Sequence, residues 1–160
     1  MQLLSEHACI EAIKKGEYFQ AVIQDGAFSL KIDEYSFFIC TAIHNGHRLR
    51  QELVNKCALD EAERLHEEDP FTGDLISSLP ITLVALDSRY EYDLNRSPEH
   101  CIYEQAWGKS VWSSQLTEEE CKVSKHKHHV FYRVLGVLVE KLQSQFGACL
   151  IYDIHSYNYR

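Results

Sequence analysis

Proline and glycine are scarce here, with three prolines and seven glycines among 160 residues. No repeat, low-complexity tract or Pro/Gly/Ser-rich linker divides the chain, so one domain spanning residues 1–160 is expected. Basic charge is short as well. The formal net charge is −8 and the pI is near 5.5, which argues against a nucleic-acid backbone as partner. A local basic pocket for a small anion remains compatible with that balance. No apolar run approaches the roughly 18 residues of a membrane span, so none is expected. The first residues, MQLLSEHACIEAIKKGEY, put Glu6 and His7 where a secretory leader needs an apolar stretch. There is no CxxC pair. The six cysteines stand at 9, 40, 57, 101, 121 and 149, several inside apolar strand-like runs. They read as reduced thiols in a cytoplasmic protein.

What is present is an α/β pattern. EYFQAVIQD and FSLKIDEY alternate apolar with polar residues around Asp25-Gly26 and predict a β-hairpin. SFFICTAIH is a continuous apolar run ending at His44, as a buried central strand would be. HRLRQELVNKCALDEAERLHEED is helical in composition, with a break near Ala58 and a restart capped by Asp60. PITLVALDSRYEYDLNR predicts one or two strands. A long helix follows, with Thr117 and Glu120 as a capping box and Gly147 as its stop. Its apolar stripe is Val130, Val134, Val137, Leu138 and Leu142. ACLIYDIH closes the pattern as another buried strand. Strands separated by helices imply a mixed, mostly parallel sheet flanked by helices.

In such sheets, ligands bind at the carboxyl ends of the strands. Two apolar runs end in the same residue type, ICTAIH at His44 and CLIYDIH at His155. Two imidazoles and a carboxylate, with a fourth position for water, make a hydrolytic zinc site. Candidate carboxylates are Glu67, Glu68 and Asp69, while Asp153 is better placed to orient a ligand. Gly46 would allow close backbone approach. Arg89, Asn95 and Arg96 in DSRYEYDLNR could hold a carboxylate or stabilise an oxyanion. The plainer account of these arginines is a salt-bridge loop with Asp87, Glu91 or Asp93. In HKHH, His126 and His129 could share a helix face, with His128 turned elsewhere. A solvated helix start with one packed histidine is the plainer account there, and a supporting role at a pocket rim is the functional one.

The segments TAIHNGHR, EEDPFTGD, SRYEYDLNR and YDIHSY occur in the order shown by the N-formylglutamate amidohydrolase family. From about residue 37 onward the chain resembles that family, which is itself similar in fold to the zinc carboxypeptidases. The resemblance makes His44 the first zinc ligand and His155 the last. It makes Asn95 and Arg96 the pair that binds the substrate carboxylate, and Arg89 the arginine that polarises the scissile carbonyl. Carboxypeptidases place a glutamate three residues after the first histidine, where this chain has His47. The carboxylate ligand is therefore expected from the acidic cluster, Asp69 first and Glu68 next. EEDPFTGD departs from the commoner family pattern at that segment.

The implied activity is Zn2+-dependent hydrolysis of an amide in N-formyl or N-acyl amino acids, small molecules that bear a carboxylate. No nucleic-acid or membrane partner is implied. The resemblance also puts the general base beyond Arg160. The chain is then expected to be the N-terminal portion of a longer fold, with an exposed sheet edge that a homo-oligomer could cover. The alternative is a non-catalytic module of the same fold that binds a carboxylate or a peptide end.

Overall fold

The Asp25-Gly26 turn is left-handed at both residues, with φ of 53° and 83°. It joins β2 (Phe19–Ile23) to β3 (Phe28–Ile32), paired antiparallel from Phe19↔Ile32 to Ile23↔Phe28. This hairpin is one half of the sheet in the computed structural model, which describes residues 1–23 and 25–156. The other half is built from β4 (Phe38–Ala42), β5 (Ile81–Ala85) and β8 (Leu150–Asp153). A short β1 (Gln2–Leu4) completes the order β1-β2-β3-β5-β4-β8. The β1/β2, β4/β5 and β4/β8 pairs are parallel, and the two pairs made by β3 are antiparallel. The sheet is therefore mixed and mostly parallel, as the strand and helix pattern implies.

Two helices cover one face. The first, α1 (Glu6–Lys15), is capped by Ser5 and stopped by Gly16 at φ 76°. The longest, α5 (Glu118–Phe146), starts from the Thr117/Glu120 capping box and ends at Gly147, φ 79°. Val130, Val134, Leu138 and Leu142 of α5 are buried against Ile10 and Ile13 of α1 and against Leu30, Ile39 and Leu83 of the sheet. Phe131 meets Phe28 edge-on, with ring centroids 5.3 Å apart. The other face is more thinly covered. Short helices α2 (Gln51–Val54), α3 (Glu61–Glu67) and α4 (Thr72–Leu75) lie in the long connection from β4 to β5. Ile76, just past α4, packs on Cys40 and Ala42. A small hairpin, β6 (Gln105–Ala106) with β7 (Lys109–Ser110), stands apart from the main sheet. All six thiols are free. Among the described residues no helix is long and apolar enough to cross a membrane.

Two open readings resolve and one expectation needs correction. Only one strand, β5, forms in PITLVALDSRYEYDLNR. The alternation in SRYEYDL does not continue the sheet, because its charged residues turn inward with its apolar ones: Glu91 and Asp93 are as buried as Tyr90, Tyr92 and Leu94. In HKHH, His126 and His129 share an exposed side while Lys127 and His128 are buried, so the plainer account of one packed histidine holds. The correction concerns the last run, which is not a buried strand. β8 lies at the sheet edge, where Leu150, Ile151 and Tyr152 remain about half exposed (46%, 47% and 51%). Tyr157, the last residue of the YDIHSY segment, lies outside the described residues.

Lys127 explains how the 86–93 segment holds a non-sheet course. Its ammonium donates to Asp87 Oδ2 and Glu91 Oε1, each at 2.9 Å. Arg48 donates to Asp87 Oδ1 from Nε and Nη2, and Arg50 donates to Glu91 Oε1 from Nε at 2.7 Å. Removing one partner of such a network strands buried charge, at a cost of about 3–5 kcal/mol. Lys127→Met should lower the unfolding free energy by about that amount in urea titration. A loss under about 1 kcal/mol, the usual worth of a surface pair, would contradict the network's role.

Candidate metal centre

β4 and β8 run parallel in the register Thr41↔Asp153. Each chain continues two residues past its strand to a histidine, and both histidines leave at the same carboxyl edge. The His44 and His155 rings lie 5.0 Å apart. The turn after His44 crosses the chain leaving β5. Arg48 N donates to Leu86 O at 3.2 Å, and Ser88 N donates to Arg48 O at 2.8 Å. Gly46 sits at this crossing. A Cβ there would lie 2.3 Å from both the Asp87 carbonyl oxygen and the Leu86 carbonyl carbon.

His44 is buried, and its Nε2 lies 2.8 Å from Asp93 Oδ1. Burial alone would raise the Asp93 pKa, but His44, Arg89 and Tyr103 outweigh it and hold the carboxyl far below its ordinary range. An ionised carboxylate only accepts, so Nε2 of His44 carries a proton, and in the neutral ring Nδ1 is a bare lone pair. That Nδ1 is buried with no hydrogen-bond partner. It faces Asp69 Oδ2 at 3.4 Å.

Asp69 is fixed from both ends. Its backbone N–H donates to the His44 carbonyl at 2.9 Å, and Ser156 Oγ donates to Oδ1 at 3.1 Å. The remaining oxygen, Oδ2, is 2.9 Å from His155 Nδ1. The other ring nitrogen of His155, Nε2, is 2.8 Å from Asp153 Oδ2, and Thr41 Oγ1 donates to Asp153 Oδ1 at 2.5 Å. Burial would lower the His155 pKa, but Asp153 and Asp69 outweigh it and raise it. One donor atom each from His44, Asp69 and His155 thus falls within 4.8 Å of the others. Ligands about 2.0–2.1 Å from a tetrahedral zinc stand roughly 3.3 Å apart. The His44–Asp69 and Asp69–His155 separations bracket that value. An orphaned imidazole nitrogen and a shared carboxylate oxygen are a fitting donor set for the ion.

Glu68 does not join this group. The chain is extended there, with φ −78° and ψ 163°, so neighbouring side chains point to opposite sides. Ser88 Oγ donates to one Glu68 oxygen, and His47 Nδ1 bonds the other. His47 itself is turned toward α3, where Arg64 donates to its Nε2 at 3.2 Å and to its carbonyl at 2.9 Å.

Arg89 meets the centre through Asp93. Its Nη2 donates to Asp93 Oδ2 at 2.8 Å, opposite the oxygen that holds His44. Nη1 donates to the Glu67 carbonyl at 2.9 Å, and Trp107 lies against the guanidinium at 5.2 Å. The salt bridge that is the plainer account of Arg89 is therefore real, and it is attached to the histidine. Tyr103 also donates to Asp93 Oδ2. Burial first, and Asp93 next, push the Tyr103 pKa up, which keeps its proton on the phenol. Asn95 N donates to Asp93 Oδ1 at 2.7 Å, and the Asn95 and Arg96 side chains are exposed just beyond.

Nothing in the charge pattern marks Asp93 as the hub, or Tyr103 and Ser156 as its equivalents elsewhere in the site. The one available signal was position, since Asp93 lies two residues before Asn95 in DLNR. Asp153 does orient His155, as its place two residues upstream suggests.

The family model described as N-formylglutamate amidohydrolase matches residues 36–160. No curated protein and no solved structure matches the chain.

The Gly46 crossing gives a direct test. Backbone neighbours cannot swing aside as a side chain can, so Gly46→Ala should sit at the upper end of the roughly 1–3 kcal/mol seen for overpacking. Thermal unfolding should register a clear drop in midpoint. An unchanged midpoint would mean that the 44–48 turn does not cross the Leu86–Asp87 backbone this closely.

Proposed function

Because the chain belongs to the N-formylglutamate amidohydrolase family, we propose that it is a metal-dependent hydrolase of the amide in N-formyl or N-acyl amino acids that bear a carboxylate. The observation that carries the metal half is the buried, unpartnered His44 Nδ1 facing Asp69 Oδ2. His44, Asp69 and His155 would hold the ion. A zinc ion there supplies Lewis acidity for the carbonyl and lowers the pKa of a water.

The rest of the reading belongs to the chain's own side chains. Asp93 and Asp153 would hold a proton on the outer nitrogen of each histidine, so that with an ion bound Nδ1 of each could face it, the His155 Nδ1 in place of its present contact with Asp69. Arg96 offers a planar fork to the substrate carboxylate, and Asn95 adds an amide donor. Arg89 supplies positive charge beside the centre, where an oxyanion develops from the scissile carbonyl. The site thus pairs one position for the amide with one for the carboxylate, within a protein whose net charge is −8.

A second reading, a non-catalytic module that binds a carboxylate, is favoured by one observation. Among the described residues, each carboxylate at the centre is already engaged. Asp69 is held by Ser156 and His155, Asp93 by four donors, and Asp153 by Thr41 and His155. A general base needs a free acceptor beside the water.

Metal analysis after zinc loading and dialysis should give one zinc per chain for the wild type and much less for Asp69→Asn and His155→Ala. Asp93→Asn should retain the site but weaken zinc by about 10–100-fold, as removal of a ligand's orienting carboxylate does. Background zinc in the wild type, or equal zinc in all four proteins, would contradict the metal assignment. Formate release from N-formylglutamate and other N-formyl amino acids separates the two readings. The hydrolase reading expects turnover that Asp69→Asn abolishes, and saturable binding without formate would favour the module.

A further inference from the structure

We propose that His128 and Tyr132 are positioning residues for the carboxylate clamp, aiming Asn95 and Arg96 by holding the backbone that carries them. The proposal rests on the reading that these two residues bind the substrate carboxylate.

The two rings stand four residues apart on α5, with centroids 5.0 Å from each other, so they project from one side of the helix. Each ends on a carbonyl of the same short segment. His128 Nε2 lies 2.9 Å from the Arg96 carbonyl oxygen, and the Tyr132 hydroxyl donates to the Leu94 carbonyl. A carbonyl only accepts, so His128 carries its proton on Nε2. Its Nδ1 is then a buried lone pair, and it has no partner. Packing alone would be served better by leucine or methionine, which bury no unpaired nitrogen. What a histidine adds at this position is the donor to Arg96.

The segment is gripped from its other side by Asp93. Asn95 N donates to Asp93 Oδ1 at 2.7 Å, and Arg96 N donates to the Asp93 carbonyl at 3.2 Å. Asp93 in turn holds His44. The spacing between the metal centre and the clamp is therefore set by Asp93 on one side and α5 on the other. Both α5 rings line a hollow of about 320 Å³ together with Arg96, Ser97, Pro98 and His129. The Arg96 guanidinium itself donates to the Tyr103 hydroxyl, so Tyr103 holds the tip of the side chain while α5 holds the backbone that carries it.

Three variants test this in the zinc-loaded protein. His128→Leu and Tyr132→Phe each remove one hydrogen bond at little change in volume, while the side-chain amide introduced by His128→Gln can still reach the carbonyl. Amide exchange over residues 94–97 should accelerate about tenfold in the first two and recover in the third. With an N-formyl amino acid as substrate, KM should rise about tenfold while kcat stays within about twofold. With the corresponding carboxamide, which lacks the charge that Arg96 binds, the variants should match the wild type. Unchanged exchange in both His128→Leu and Tyr132→Phe would overturn the proposal, as would an equal loss on acid and carboxamide. If His128→Leu fails to fold, the partly exposed Tyr132→Phe carries the same test. If the wild type releases no formate, the hydrolase reading falls by itself, and the exchange arm still decides whether α5 holds the segment.

Discussion

The Asp93 carboxylate is the contact on which the site depends. One oxygen holds His44 Nε2 and the Asn95 amide, and the other takes Arg89 and Tyr103. Four donors converge on a fully buried anion, which is why its charge persists despite the cost of desolvation. Through that one group the tautomer of His44, the course of the 93–96 segment and the place of the Arg89 guanidinium become a single constraint. If Asp93 were neutral, His44 could turn its proton inward, and the unpartnered Nδ1 would no longer be open to an ion.

The sheet supplies the second half of the arrangement. Parallel pairing of β4 and β8 brings two histidines to one edge, and the histidines stand just past the strands rather than on them. Asp69 comes from a different connection and is tied in by its backbone bond to the His44 carbonyl. Close backbone crossing at Gly46 keeps the turn after His44 against the chain leaving β5. Lys127, Arg48 and Arg50 then pin that chain to α5, so rigid elements support the donor atoms from every side.

Much of this was legible in the residues. The Asp25-Gly26 hairpin, the Asp60 cap, the Thr117/Glu120 box and the Gly147 stop all follow from local chemistry, and each forms where its residues stand. The strand-end histidines were legible because two apolar runs stop at the same residue type. What was illegible depends on long-range partners. The charges in SRYEYDL look like the solvent face of a strand until Arg50 and Lys127 are seen to meet Glu91, and His44 and Arg89 to meet Asp93, indoors. Glu68 and Asp69 are equivalent by composition, and only the extended backbone between them sends one to His47 and the other to His155. α1 carries ordinary signals in Ser5 and Gly16, yet its apolar side has meaning only once α5 lies beside it.

The central claim is that one ion is held by the imidazoles of His44 and His155 and the carboxylate of Asp69. X-ray absorption at the zinc edge of the loaded protein tests it most directly. The account predicts a first shell of nitrogen and oxygen at about 2.0–2.1 Å, with outer-shell scattering from two imidazoles. Sulfur at about 2.3 Å, or scattering from a single imidazole, would contradict it.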